Sequence, residues 1–300
     1  MYAKHIDRLA ALGPLVGQIV NKHVALQILP EHYPIVGSCL LRAIREVLGA
    51  DVATDEVIAA WAVAYQQLAD ILIGAEEQAY AANAAGAGGW RGARDFRVAR
   101  KQVESEEITS FYLTPADGGA LLDYQPGQYI GLTLQLDGEE VRRNYSLSAA
   151  ANQQQYRISV KREVGGRVSN YLHDQVAEGD TLQLFPPAGD FVLRPSSKPL
   201  ALITAGVGIT PALAMLEQAL SSGRPIHFIH CARHSGAQGF RTWLESMVAK
   251  HPQLQRFYCY SEPRAADNEH ASGLLTESLL GQWLPAERDL DAYFLGPKPF

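Results

Sequence analysis

Cysteine is scarce in this chain: there are three in 300 residues, Cys39, Cys231 and Cys259, with no CxxC spacing and no Cys/His ligand cluster. That scarcity excludes a disulfide framework and a conventional zinc site, and it points to a reducing compartment. An excess of basic charge is also missing. With 26 Lys and Arg against 32 Asp and Glu, the net charge is −6. Nucleic acid is therefore not the expected partner, since phosphate binding requires a basic surface. Lys4, His5, Asp7 and Arg8 interrupt the N-terminus, so it has no apolar stretch of a signal peptide. No apolar run is expected to reach membrane-spanning length, because Pro30, Pro34, Pro211 or charges break the longest ones. What remains, at 47% hydrophobic and 19% charged, has the composition of a globular protein. A cytoplasmic setting with no membrane partner is the expectation. Three hundred residues exceed one ordinary core and predict two or three domains.

Three segments follow in order along the chain. In the first, apolar residues recur at helical spacing through Ile6–Leu9, Leu15–Ile19 and Val57–Trp61–Ala64–Leu68–Ile71. Thr54 before Asp55 and Glu56 predicts a helix start, a cap followed by acidic side chains at the positive dipole end. The small-residue run Ala84 to Gly89 reads as a domain boundary. After Trp90 the period becomes that of short strands, at Phe96–Ala99, Ile108–Leu113, Gln128–Leu134 and Tyr156–Val160. Turns separate them as in a small antiparallel barrel. From about Lys198, buried strands at Pro199–Ile203, Ile226–His230, Phe257–Cys259 and Ala292–Leu295 alternate with helices. That pattern describes a doubly wound α/β unit. The expected domains are thus 1–87, an incomplete helical unit; 88–196, a β-barrel; and 197–300, an α/β domain. The chain opens inside a helical pattern and stops just after a core strand, so it reads as cut at both ends.

Two stretches carry chemistry. Ile203 to Pro211 joins a buried strand to a helix, and Gly206 and Gly208 allow a tight turn that brings backbone close to a diphosphate. Pro211 suits the first helical turn. Taken alone, such a turn could equally be plain geometry. Upstream, Arg142-Arg143-Asn144-Tyr145-Ser146 offers a fixed guanidinium for a pyrophosphate, an aromatic two residues on for a flavin ring, and a hydroxyl for its edge. Gln125 to Tyr129 precedes it. Lys161-Arg162-Glu163 and Gly165-Gly166-Arg167-Val168-Ser169-Asn170 follow, the latter opening a second phosphate-ready helix terminus.

In this order the motifs resemble the ferredoxin-reductase-type module, an FAD barrel followed by an NAD(P) domain. The resemblance implies that Tyr129, Arg143, Asn144, Tyr145, Ser146, Lys161, Gly166, Val168 and Ser169 hold FAD. It implies that Gly206, Val207, Gly208, Ile209, Thr210 and Pro211 carry the nicotinamide dinucleotide. Phe294-Leu295-Gly296-Pro297 resembles the family's CGP motif, with Leu295 where cysteine is usual. NADH and NADPH are both open, since Arg233 and His234 could meet a 2′-phosphate or simply lie at the surface.

The front end, Lys22 to Tyr33, resembles the proximal-histidine region of flavohaemoglobins, and Gly88-Gly89-Trp90 matches their domain junction. That resemblance spans the chain. It implies His23 as axial ligand to haem b iron, with Tyr33 and Glu76 as its hydrogen-bonded set. The match of Glu76 depends on placing a short insertion near Ala50 to Ala53, and Glu77 is the alternative. The implied activity is that of an oxidoreductase, a nitric oxide dioxygenase. Electrons would pass from NADH or NADPH to FAD to haem, with O2 and nitric oxide as the other small-molecule partners and no obligate protein partner. His5, His32, His173, His227, His230 and His251 read as packing or surface, and Trp61, Tyr65 and Trp90 as core. Two readings without haem stay open: an NAD(P)H-flavin reductase with a degenerate helical docking or sensing module, and a structural relic. The family's early globin helices and its flavin-shielding C-terminal segment find no counterpart here. The purified chain is therefore expected to bind haem weakly or not at all, and a strong, stable Soret band would contradict that.

Overall fold

The structure, a computed structural model, describes residues 13–298 and residue 300. Tyr2, His5 and the helical pattern at Ile6–Leu9 lie outside the described residues. Helix α1 (Gly13–Leu26) is followed by α2 (His32–Leu48) and α3 (Asp55–Ala85). The Thr54 hydroxyl accepts from the Val57 N–H, and Asp55 and Glu56 occupy the first turn of α3, as the sequence predicts. Ala69, Leu72, Glu76 and Tyr80 recur at three- and four-residue spacing and form the buried stripe of α3. With Val20, Val24 and Tyr33 the apolar members make a small core. Ile35, Val36, Leu40, Val47 and Val63 remain exposed on α2 and α3. Trp61 and Tyr65 are only half-buried, unlike the core positions expected of them. One expectation is corrected outright. α3 is long and apolar enough to cross a membrane by length and composition, because Gln66, Gln67 and Asp70 do not break it as proline would.

The antiparallel unit contains β1 (Arg94–Val103), β2 (Ile108–Pro115), β3 (Tyr129–Leu136), β4 (Glu139–Ser146) and β5 (Tyr156–Lys161). It is completed by α4 (Arg167–Asp174) and β6 (Thr181–Leu184). The strand order is β4-β3-β6-β1-β2-β5, and a bridge between Leu147 and Ile158 joins the two outer strands, closing the barrel. Phe96, Phe111, Leu113, Ile130, Leu132 and Ile158 fill its interior. The Trp90 indole caps this core and donates to the Leu184 carbonyl at 3.1 Å.

The third unit is a parallel sheet ordered β10-β9-β8-β7-β11. Its elements are β7 (Leu200–Ala205), α5 (Ile209–Leu220), β8 (Ile226–Ala232), α6 (Arg241–Lys250) and β9 (Leu254–Tyr260). Then come β10 (Ala271–Ser272), α7 (Glu277–Trp283) and β11 (Asp291–Leu295). Leu200, Leu202 and Phe228 face α5 and α6, while Ala201, Ile203 and Ile229 face α7. Both faces are covered, which is why these strands read as unbroken apolar runs. From β7 the chain winds outward through β8 to β10, then returns to place β11 on the other side. The switch point of the sheet therefore lies between β7 and β11.

The barrel and the sheet share buried contacts. Ile108 of β2 packs in the core of the parallel unit. Glu217 of α5 accepts from the Ala150 N–H at 2.6 Å and lies 3.6 Å from the Arg157 guanidinium. Burial raises the Glu217 carboxyl above its usual range, against the pull of these two partners. Phe96, fully buried between Trp90 and Tyr156, is the test of the barrel core. Phe96→Ala is expected to cost about 3–5 kcal/mol in urea unfolding, read from tryptophan fluorescence.

Candidate functional site

A cleft of about 870 Å³ opens at the switch point, where β4, β5 and α4 of the barrel face the carboxyl ends of β7 and β11. Ligands bind at such points because two loops diverge there and leave backbone N–H groups unpaired. β7 ends in a 3₁₀ turn, Gly206–Gly208, in which Gly206 has φ 53°. A side chain at Gly208 would strike the Leu295 carbonyl, so the turn can lie against β11 only with glycine there. The next helix, α5, has no side-chain cap, and α4, which starts after Gly166, has none either. Two helix N-termini in one cleft suit a diphosphate.

Adjacent arginines on β4 have separate tasks. Arg142 donates to Glu140 and to the Leu26 carbonyl, and lies over the Phe185 ring. Arg143 turns into the cleft and donates to the neighbouring Arg142 carbonyl, with no carboxylate paired to it among the described residues, so its charge stays available for an anion. Tyr145 lies in the same cleft, half-buried, with its phenol pushed up to about 12 by that burial. Lys161 lines the cleft and pairs with Glu163 at 3.2 Å.

Of the fifteen positions expected to bind cofactor, thirteen line this cleft: Arg143, Asn144, Tyr145, Ser146, Lys161, Gly166, Val168, Ser169, Gly206, Val207, Gly208, Thr210 and Pro211. Two do not. The Ile209 side chain is fully buried in the sheet core, and its N–H donates back to the Gly206 and Val207 carbonyls. Tyr129 sits on β3 opposite Ser146 and packs against Gly189. Phe191 is a lining residue that motif reading missed. It stands on the loop before β7, edge-on to Tyr293 at 5.7 Å. An exposed aromatic in a segment rich in proline and glycine was its one signal.

The helical unit builds a second constellation. Glu76 Oε1 lies 2.6 Å from His23 Nδ1 and accepts from the Tyr33 hydroxyl at 2.5 Å, while that hydroxyl is 3.1 Å from the same ring nitrogen. Glu76 is buried, and its second oxygen has no partner among the described residues. Desolvation, reinforced by the bond to Glu76, drives the Tyr33 phenol far above its ordinary value, so it remains a donor. With Nδ1 held, the imidazole keeps Nε2 for a metal, and the pair of oxygens fixes its tautomer. Glu77 has no part in this. It faces outward in a two-point pair with Arg91 at 2.7 and 2.6 Å. Lys22 is exposed.

Against known proteins, residues 1–72 match the family model "Globin", 95–193 match "Oxidoreductase FAD-binding domain", and 202–300 match "Oxidoreductase NAD-binding domain". A flavohemoprotein of Pseudomonas aeruginosa is 73% identical over all of this chain and 76% of its own length. The chain belongs to the flavohemoprotein family. A solved flavohemoglobin from Malassezia yamatoensis, with FAD and heme bound, superposes with a TM-score of 0.81 at 26% identity. That match covers 96% of this chain and 73% of the other. The FAD/NAD binding domain of a nitric oxide dioxygenase from Vibrio cholerae matches at TM-score 0.61 and 34% identity, over 69% of this chain and 100% of that one. A flavohemoprotein thus unites three folds, and this chain has each of them in the expected order: helical, antiparallel barrel, doubly wound sheet.

The two arginines of β4 supply a test. Arg143→Ala is expected to weaken FAD binding about tenfold or more, the worth of one charge-assisted bond. Arg142→Ala should leave flavin affinity near its starting value. Fluorescence titration of the flavin-free protein reads both.

Proposed function

We propose that the chain carries electrons from NAD(P)H through FAD to a haem held by His23, as part of a nitric oxide dioxygenase. The domains we propose are 1–87 for haem, 88–196 for FAD and 197–300 for the nicotinamide dinucleotide. The reading rests on the hydrogen-bonded set of His23, Glu76 and Tyr33. A carboxylate buried that deeply, bonded to a phenol and an imidazole and with no Lys or Arg paired to it among the described residues, has little purpose except to polarise the imidazole. When bound, the three groups supply hydride acceptance, one-electron transfer and oxygen-dependent conversion of nitric oxide to nitrate.

The protein's share is placement and electrostatics. Arg143 and the α4 terminus would hold the FAD diphosphate, and Tyr145 and Ser146 its ring, on a strand whose partner contacts the carboxyl end of α1. The α5 terminus and the Gly206–Gly208 turn would hold the second dinucleotide across the same cleft. Glu76 would draw the Nδ1 proton toward itself and make His23 a stronger donor, which favours oxygen activation. A cytoplasmic location belongs to the same proposal.

The test loads the chain with FAD and haem, adds NADH without oxygen, then adds oxygen and nitric oxide. Flavin bleaching, haem reduction and nitrate are expected in that order. Flavin bleaching beside a bound haem that stays oxidised would overturn the proposal and leave a flavin reductase with a helical docking module. Glu76→Gln is expected to lower the iron–imidazole stretching frequency and raise the haem potential, while flavin reduction stays unchanged.

A further inference from the structure

In sheets of this winding, the adenosine ribose lies beyond the strand that follows the glycine turn. The side chains there decide between a 2′-hydroxyl and a 2′-phosphate. That strand is β8, and Arg233-His234-Ser235 follow its last residue, Ala232. A 2′-phosphate would need their donors free, yet the donors of Arg233 and Ser235 each face a carboxylate. The Arg233 guanidinium is ion-paired with Glu107. Arg264, which reaches the same loop, is gripped at two points by Glu106, at 2.5 and 2.9 Å. His234 is buried, with its Nε2 3.1 Å from the Arg264 guanidinium. Both the Ser235 N–H, at 3.1 Å, and the Ser235 hydroxyl donate to Asp267.

The two glutamates belong to the other domain, on the turn between β1 and β2. The Glu106 N–H donates to the Gly236 carbonyl at 2.9 Å, and any side chain at Gly236 would overlap the Glu106 carboxylate. The barrel therefore inserts two anions into the loop of the nucleotide domain and holds them there. Arg264 keeps the Glu106 carboxyl below its usual range, and the Arg264 N–H together with the Ser235 hydroxyl holds Asp267 down to about 2. Glu106 and Asp267 are therefore ionised at neutral pH. A phosphate arriving here would have to displace a carboxylate from each arginine and would meet the repulsion of those left behind, whereas a hydroxyl brings no charge.

We infer that Glu106 and Glu107 are specificity-determining residues that make this site select NADH over NADPH by occupying Arg264 and Arg233. The inference rests on the dinucleotide cleft proposed above. Calorimetric titration of the flavin-loaded chain with NAD+ and NADP+ tests it without turnover. NAD+ is expected to bind at least about tenfold more tightly, since unpaired like charges cost several kcal/mol. The Glu106→Gln, Glu107→Gln double variant should raise NADP+ affinity about tenfold and narrow the gap. Arg233→Ala alone should leave NADP+ binding unchanged, but in the double variant it should cancel much of the gain. If the double variant does not fold, Glu107→Gln alone frees Arg233 and should give a smaller gain of the same sign. Equal affinities in the unaltered chain, or a gap that survives the glutamate changes, would overturn the inference and leave the cleft standing. Binding of neither nucleotide would overturn both.

Discussion

The molecule's two ends are tied together at the last turn of α1. The Arg142 guanidinium donates to the Leu26 carbonyl at 2.8 Å, satisfying a group that a helix C-terminus leaves unpaired and meeting the negative end of its dipole. His23 stands one turn earlier on that helix, and Arg143 is the next residue on the strand. This bond, together with the packing of α1 on β3, helps fix where the imidazole stands relative to the cleft. Pleating makes this possible: neighbouring residues of β4 point to opposite faces, so one arginine can brace the helix while the next serves the cleft.

Carboxylates in this chain act according to the company that burial gives them. Glu76 is buried with a phenol and an imidazole, and it orients a ring. Glu217 is half-buried at the seam between barrel and sheet, where it ties Ala150 and Arg157 to α5. Glu106, about half exposed, and the less accessible Glu107 neutralise arginines of the other domain; for the exposed Glu106–Arg264 pair this matters for charge selection more than for stability, because exposed pairs contribute little to folding. A negative chain thus creates a local site for an anion by leaving Arg143 without an ion pair among the described residues while Arg157, Arg233 and Arg264 are paired.

Much of this was legible beforehand. The Thr54 cap, the change from helical to strand period after Trp90, and the glycine turn before α5 each express a local rule that needs no distant partner. Thirteen of the positions that the resemblance to the ferredoxin-reductase-type module implied line one cleft. That the Ile209 side chain turns into the core was not legible, because helical phase depends on where the 3₁₀ turn ends. The half-burial of Trp61 and the open face of α2 were not legible, since a periodic apolar stripe does not reveal whether anything covers it.

Sequence alone determined which elements form, in what order, and which side chains are chemically fit for a flavin, a dinucleotide and an iron. Only the tertiary structure could choose Glu76 over its neighbour Glu77. The two differ by about 100° around one helix, which sends one toward His23 and the other to Arg91 in solvent. It likewise decided that Arg233 is spent on Glu107, a residue more than a hundred positions away. Local propensity acts over a few residues, whereas charge pairing acts through space, so the first can be read along the chain and the second only across it.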